Sequence, residues 1–204
     1  MEHIQNYISA LQQTIDQLPR QLIADVVDVL QDARVRGSNI FIMGNGGSAS
    51  TASHFVCDLA KNTRCEGLPH FKVIGLADNM AILTAYANDE GYESVFAQQL
   101  ANLVQPKDVV IAISASGNSK NVLNAIEEAQ KHDVVTIGFT GFDGGRLGQI
   151  VNINIHVKSD VIEHVEDIHL MLEHVIVKTI KERTRSKAKL TPTIVPLPLN
   201  AIGN

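Results

Sequence analysis

The sequence predicts an α/β fold, a three-layer αβα sandwich in which helices cover both faces of a five-stranded, parallel, doubly wound sheet. Five short apolar runs of strand length alternate with helical patterns along the chain, which is typical of βαβ units. Turns rich in glycine and serine follow two of these runs, at the strand ends where such sheets bind ligands. A length of 204 residues, 45% of them apolar, predicts one domain over 1–190 and a tail over 191–204.

The helices and strands can be placed in order from the spacing of apolar residues. Residues 1–36 predict two helices that Pro19 separates. The strand-like runs lie at 39–43, 71–76, 109–113, 134–139 and 153–157. Helical patterns lie between them, at 48–63, 79–103, 120–131 and 144–150. A last helix over 161–185 has an apolar stripe that suits the N-terminal helices, and such faces commonly form subunit contacts.

Composition limits the partners of this chain. A net charge of −5 argues against nucleic-acid binding, and the short basic run at 181–189 is typical of a solvated helix end. Cys57 and Cys65 have no spacing that suggests a disulfide framework or a zinc cluster. With no signal peptide and no apolar run of transmembrane length, we expect a cytoplasmic protein without a membrane partner. The tail over 191–204 contains three prolines, so it is either a disordered end or an extended strap across a neighbouring subunit.

The first glycine-rich turn, Gly44–Ser48, lies between a strand-like run and a helical pattern. Its glycines, among them Gly46 and Gly47, allow positive φ angles and leave no side chain to block a ligand. The N–H groups at the start of the following helix, together with the hydroxyl of Ser48, would suit an anion. Turns of this kind also occur for packing reasons alone, so the turn by itself is a weak indication of phosphate binding.

A second turn of the same kind makes phosphate binding the better interpretation. Ser114, Ser116 and Ser119 follow the third strand-like run and precede a helical pattern, so their hydroxyls could converge on one phosphate. The turn lacks the lysine of a P-loop and the glycine spacing of dinucleotide-binding proteins. Serines and backbone amides without a lysine suit a phosphate ester on a small molecule, and a phosphosugar is the natural candidate.

The chain resembles the sugar isomerase (SIS) domain proteins and, within them, the phosphoheptose isomerases. The resemblance extends to about residue 183 and rests on six motifs, which are GNGGSA at 44–49, HFVCDL at 54–59, AND at 87–89, ISASGNS at 113–119, GFTGFDGG at 138–145 and VEDIHLMLEH at 165–174. It implies a flavodoxin-like fold, a homotetramer with active sites near subunit boundaries, and conversion of sedoheptulose 7-phosphate to D-glycero-D-manno-heptose 7-phosphate.

Isomerisation between an aldose and a ketose needs one group that takes the carbon-bound proton and another that serves the neighbouring oxygen. His54 and Asp58 share one face of the helix that follows the first turn. The resemblance implies that Asp58 and His174 form the proton-transfer pair. It also implies that His54, Asp58, Glu166 and His174 can hold a zinc ion.

Two of these positions depart from the family pattern. Asp58 stands where the family has the longer glutamate, and Glu166 replaces a glutamine, although both keep an oxygen ligand. Eight residues of helix, about 12 Å, separate Glu166 from His174. Within one subunit, both residues can therefore reach one ion only if the helix starts late or bends. Alternatively, another subunit could supply one of the two ligands.

The resemblance also carries over a set of substrate-binding positions. Asp89 matches an aspartate near the sugar hydroxyls, although it could equally be a helix or turn cap. Ala115 replaces a threonine and keeps only its backbone N–H, and Asn62 stands where some members have an arginine. The full predicted substrate set is Asn45, Gly46, Gly47, Ser48, Asp89, Ser114, Ala115, Ser116, Ser119 and Glu166.

Two alternatives to a phosphoheptose isomerase stay open from the sequence. The first is a non-catalytic relative of the same fold that binds a protein partner, of the type that associates with a bacterial replication initiator. That relative lacks the early carboxylate and the late histidine, whose equivalents Asp58 and His174 are present here. The second is an isomerase of another sugar phosphate, because the motifs do not fix the length of the sugar.

Overall fold

The computed structural model of the chain describes residues 1–190, with side chains described for residues 1–185, and its centre is a five-stranded sheet. The strands are β1 (Asn39–Gly44), β2 (Lys72–Gly75), β3 (Val109–Ser114), β4 (Val135–Thr140) and β5 (Ile153–His156). All neighbouring pairs are parallel and their order is β2-β1-β3-β4-β5, the flavodoxin-like order. The predicted α/β fold class is confirmed.

Eight α-helices accompany these strands within the described residues. They are α1 (Glu2–Asp16), α2 (Arg20–Arg36), α3 (Gly47–Cys57), α4 (Met80–Glu90), α5 (Ala97–Leu103), α6 (Lys120–Ala129), α7 (Gly145–Ile150) and α8 (Ile162–Leu190). One π-helical turn, Asp58–Asn62, continues directly from α3. The prediction for the tail over 191–204 lies outside the described residues.

The pattern over 79–103 forms two helices instead of the single helix that its periodicity predicts. Gly91 ends α4 with a φ of 88° and a ψ of 152°, a conformation that no helix can continue. A short 3-10 turn, Tyr92–Ser94, follows before α5 begins. This break places Tyr92 beside the first glycine-rich turn.

Apolar side chains alternate between the two faces of the sheet and fill a core on each side. On β1, Ile40 and Ile42 belong to one core, whereas Phe41 and Met43 belong to the other. The first core also receives apolar residues of α2, α3 and α8, and the second those of α5, α6 and α7. Both faces are therefore covered, and the predicted pairing of the last helix with an N-terminal helix is present between α2 and α8.

The order of the strands determines where the two serine turns meet. The chain passes from β1 outward to β2 and then returns to β3 on the other side of β1, which makes β1 and β3 the switch point of the sheet. Gly44, the last residue of β1, pairs with Ile113 of β3. Both turns therefore leave neighbouring strands at the same sheet edge. Within residues 1–190, no helix combines the length and apolar character that a membrane crossing requires.

Candidate active site

The two serine turns line one cavity of about 310 Å³ at the switch point. The structure brings seven of the predicted substrate-binding residues together around it, namely Asn45, Ser48, Ser114, Ala115, Ser116, Ser119 and Glu166. Glu166 of α8 reaches the same cavity from the other side. The cavity is thus built from two loops, each of which leads into a helix, and from the first turns of α8.

The second turn is folded so that its hydroxyls and amides face a common space. The Oγ atoms of Ser114 and Ser119 lie 3.3 Å apart, and the N–H of Asn118 donates to Ser116 Oγ over 3.2 Å. Ser119 is the residue before α6, so unpaired N–H groups of that helix begin beside the hydroxyls. Hydroxyl and amide donors of this kind can surround the oxygens of a phosphate.

Gly47, in the first turn, is closely approached by the side chain of Glu166. A methyl group at Gly47 would lie 2.6 Å from Oε1 of Glu166. The carboxylate of Glu166 therefore sits over the first turn of α3, where the positive end of the helix dipole favours a negative charge.

A network of amides holds the first turn in place. Asn45 and Asn121 exchange two hydrogen bonds of 2.9 Å, each amide nitrogen donating to the oxygen of the other. The hydroxyl of Tyr92 donates to Asn45 Oδ1, also over 2.9 Å. Both partners come from distant elements, α6 and the 3-10 turn after Gly91, so the orientation of Asn45 is determined by the tertiary structure.

A second group of reactive side chains lies farther along α3 and α8. Ligand atoms of His54, Asp58, Glu173 and His174 all lie within 4.8 Å of one another. His54 Nε2 is 3.8 Å from Asp58 Oδ1, and His174 Nε2 is 3.2 Å from Glu173 Oε2. The two imidazole rings contact edge to face with centroids 5.0 Å apart. Two histidines and two carboxylates at these distances can transfer protons or bind a divalent cation.

The carboxyl of Glu173 is the most perturbed acid in this cluster. Its side chain is fully buried, and both oxygens lack a hydrogen-bond partner while the group is ionised. Burial, the negative charge of Asp58 and a hydrogen bond with Asp58, in that order of size, together raise the pKa of Glu173 to about 8. Asp58 is itself held by the amide of Asn62, which donates to Asp58 Oδ1 over 2.7 Å.

The comparisons with known proteins agree on one family. The SIS domain matches residues 3–141, and a phosphoheptose isomerase from Geotalea daltonii is 38% identical over 90% of this chain and 96% of its own. The chain belongs to the SIS-domain phosphoheptose isomerase family. A phosphoheptose isomerase from Aquifex aeolicus is 36% identical over 81% of this chain and 86% of its own. A solved phosphoheptose isomerase from Francisella tularensis has 30% identity and a TM-score of 0.82, over 89% of this chain and 97% of that one.

Not every position carried over from the family resemblance lies in the same group. Of the four residues predicted as metal ligands, His54, Asp58 and His174 lie together, whereas Glu166 lines the serine-lined cavity. Asp89 lies near the end of α4, where its Oδ1 accepts a hydrogen bond of 2.7 Å from the amide of Asn88, and the described lining of the cavity does not include it.

Sequence reasoning missed three residues that shape the site, and they are Tyr92, Asn121 and Glu173. For Glu173 the sequence did contain a signal. It follows His169 by four residues and Glu166 by seven, so all three share one face of the last helix, and an acid on a face that packs inward needs a partner.

Proposed function

We propose that this chain is a phosphoheptose isomerase that interconverts sedoheptulose 7-phosphate and D-glycero-D-manno-heptose 7-phosphate. The observation that carries the proposal is the pairing of a serine-lined cavity with a histidine–carboxylate cluster on the same two helices, α3 and α8. Family membership over most of the chain supports the same activity.

The cavity binds the phosphate end of the sugar. Hydroxyls of Ser48, Ser114, Ser116 and Ser119, together with backbone N–H groups of Gly46, Gly47 and Ala115, surround the phosphate oxygens. Asn45 and Glu166, which line the same cavity, serve the sugar hydroxyls. The buried positions of Ser48 and Ser114 support this role, because hydrogen bonds to a charged group strengthen when water is excluded.

Asp58 and His174 transfer the protons of the isomerisation. One takes the proton from the carbon next to the carbonyl, and the other serves the carbonyl oxygen as the enediol forms. His54 is six residues beyond Ser48 on α3, which separates the reacting end from the phosphate cavity by about 9 Å. A sugar phosphate with its carbonyl far from its phosphate fits this separation.

A zinc ion is the cofactor that suits this cluster. His54, Asp58 and His174 supply the imidazole nitrogens and carboxylate oxygen that zinc prefers, and their ligand atoms already lie close together. When bound, zinc would act as a Lewis acid that polarises substrate oxygens. The protein's own contribution is to hold these three side chains at one level of α3 and α8.

We propose a homotetramer in the cytoplasm. Ile4 and Ile8 of α1 are 59% and 44% exposed, which supports a subunit contact on this helix. Cys57 and Cys65 are free thiols, as is usual for a reducing compartment.

The proposal is tested by incubating the protein with sedoheptulose 7-phosphate and following the product by NMR. We expect the signals of D-glycero-D-manno-heptose 7-phosphate to appear, and a pentose or hexose phosphate tested in parallel to react more slowly. Faster conversion of a shorter sugar phosphate would reassign the substrate. Binding of the phosphosugar without any conversion would instead favour a non-catalytic SIS-domain protein that binds a partner.

A further inference from the structure

Asn45 lies between two cavities of the structure. It lines the serine-lined cavity together with Ser119, and both residues also line a neighbouring cavity of about 280 Å³. Tyr92 and Asn121 line this neighbouring cavity, and the described lining of the serine-lined cavity includes neither of them. The two side chains that hydrogen-bond to Asn45 therefore contact it from outside the cavity that would hold the substrate.

The direction of the Asn121 amide is determined by a backbone group. The N–H of Val122 donates to Asn121 Oδ1 over 3.0 Å, and a backbone N–H can only donate. If the oxygen and nitrogen of this amide exchanged places, two donors would face each other. Asn121 is 3% exposed and Val122 is fully buried, so a donor left without an acceptor there would be costly. The Asn121 amide therefore has one stable direction.

The Asn121 amide in turn determines the direction of the Asn45 amide. Asn121 Nδ2 donates to Asn45 Oδ1, and Asn45 Nδ2 donates to Asn121 Oδ1, each over 2.9 Å. The hydroxyl of Tyr92 donates to the same Asn45 Oδ1, also over 2.9 Å. An amide oxygen accepts two hydrogen bonds and an amide nitrogen donates two. Both acceptor positions of Asn45 are thus occupied, whereas one of its N–H groups has no partner among the described residues.

We infer that Tyr92 and Asn121 are positioning residues of the proposed isomerase, and that they fix Asn45 as a hydrogen-bond donor toward the bound sugar phosphate. The free N–H of Asn45 suits an oxygen of the sugar phosphate that accepts a hydrogen bond. Its occupied carbonyl oxygen leaves no acceptor for a sugar hydroxyl that donates one. This inference rests on the proposed binding of a sugar phosphate in the serine-lined cavity, but it does not depend on whether that sugar is converted.

A double-mutant cycle tests whether Tyr92 acts through Asn45. Tyr92→Phe removes only a hydroxyl from a side chain that is 52% exposed, so the fold should persist. Affinity for sedoheptulose 7-phosphate is measured by calorimetry on the full-length protein. We expect Tyr92→Phe to weaken binding by roughly 2–10-fold, the range of one neutral hydrogen bond. The same substitution should have no effect in an Asn45→Ala background. KM should rise while kcat is unchanged, because Tyr92 influences binding and not the reacting atoms.

Tyr86→Phe is the matched control for the loss of a hydroxyl. The hydroxyl of Tyr86 accepts a hydrogen bond of 2.9 Å from the amide of Asn102, and the described linings of both cavities leave Tyr86 out. Tyr86→Phe should bind the sugar phosphate like the wild type in either background. The inference would be overturned by an equal loss in Tyr86→Phe, by unchanged binding in Tyr92→Phe, or by a loss in Tyr92→Phe that persists with Asn45→Ala.

Asn45→Asp tests the direction of the amide without altering the buried Asn121. It keeps the shape of the side chain and replaces its N–H donors by an acceptor. If Asn45 donates to the sugar phosphate, Asn45→Asp should bind it no more tightly than Asn45→Ala. Binding by Asn45→Asp as tight as that of the wild type would mean that this position accepts a hydrogen bond from the sugar, which contradicts the inference.

These outcomes are separate from the isomerase proposal. A wild type that binds sedoheptulose 7-phosphate without converting it, and in which Tyr92 acts through Asn45, would keep the inference and reject the isomerase. Conversion of the sugar without coupling between Tyr92 and Asn45 would keep the isomerase and reject the positioning role. A wild type that does not bind the sugar phosphate would reject both.

Discussion

The second serine turn is supported from behind by the glycine-rich segment that follows β4, and replacing Gly117 by alanine tests this support. Gly117 has a φ of +64°, and a methyl group there would lie 2.2 Å from the carbonyl oxygen of Gly144. The obstacle is backbone, so no side-chain rotation can relieve it. Leu147 donates its N–H to the carbonyl of Gly117 over 2.8 Å, so the two segments cannot separate freely.

The expected destabilisation has two parts. A non-glycine residue in the left-handed region costs about 1–2 kcal/mol, and forcing an extra methyl group into a packed site costs about 1–3 kcal/mol. Gly117→Ala should therefore lower the free energy of unfolding by roughly 2–5 kcal/mol. Gly67 is the matched control, because it has a φ of +79° with nothing within 4 Å of the added methyl group. Gly67→Ala should show the backbone part alone.

Urea unfolding measures both variants, and calorimetry with the phosphosugar measures the site. The difference between the two unfolding free energies should be about 1–3 kcal/mol, and both variants lose the same unfolded-state entropy. Only Gly117→Ala should also weaken phosphosugar binding, because it displaces Ser116 and Ser119 beside it. Equal stability of the two variants together with unchanged binding would refute the idea that the segment after β4 fixes the turn.

Three further outcomes concern the hydroxyls, the base and the buried histidine. Replacing Ser116 and Ser119 by alanine should raise KM by roughly tenfold or more for each hydroxyl, because a hydrogen bond to a charged group contributes about 1.5–3 kcal/mol; unchanged affinity in calorimetry would contradict the assignment. Asp58→Asn keeps the shape of the side chain and removes its charge, so turnover should fall by about 10²–10⁴-fold. The zinc content of the variant separates loss of a base from loss of a ligand. Full activity of the variant would leave the mechanism without its base. Burial lowers the pKa of His169 to about 4. On acidification the unfolded chain therefore takes up the proton first, and this histidine lowers the free energy of unfolding by about 2 kcal/mol between pH 7 and pH 5. His169→Gln should remove that loss. Glu173, whose pKa is raised to about 8, shifts stability in the opposite sense over this range. The quantity to measure is therefore the difference in unfolding free energy between His169→Gln and the wild type at pH 7 and at pH 5. A difference that does not change with pH would disprove the effect.

Local patterns predict the strands well because this sheet is covered on both faces. Every residue of β3 is buried, so its sequence is a continuous apolar run that stands out from the polar turns around it. The predicted run at 109–113 is one residue shorter than the observed strand Val109–Ser114. The break at Gly91 was not predicted, because a single glycine within a helical pattern does not reveal whether its φ is positive.

The site divides in the same way into local and distant parts. The serine turns could be predicted because each is a short segment at the end of one strand. The place of Glu173 beside Asp58 depends instead on how α8 is rotated against α3, and these residues are more than 100 positions apart in the sequence. The resemblance instead placed Glu166 beside Asp58 as a metal ligand, since a motif gives residue order but not the level of a side chain along a helix.

The two helices that carry the site also determine how far apart its two ends lie. On α3, Ser48 is at the serine-lined cavity and His54 at the cluster; on α8, Glu166 is at the cavity and Glu173 at the cluster. The intervals of six and seven residues are about 9 Å and 10 Å, so both helices run from the cavity toward the cluster with nearly equal steps. A substrate held by its phosphate can then present only an atom at about that distance to the cluster. We therefore expect sugar length to be selected by the spacing along these two helices, because a shorter sugar would leave its carbonyl within the cavity, away from Asp58 and His174.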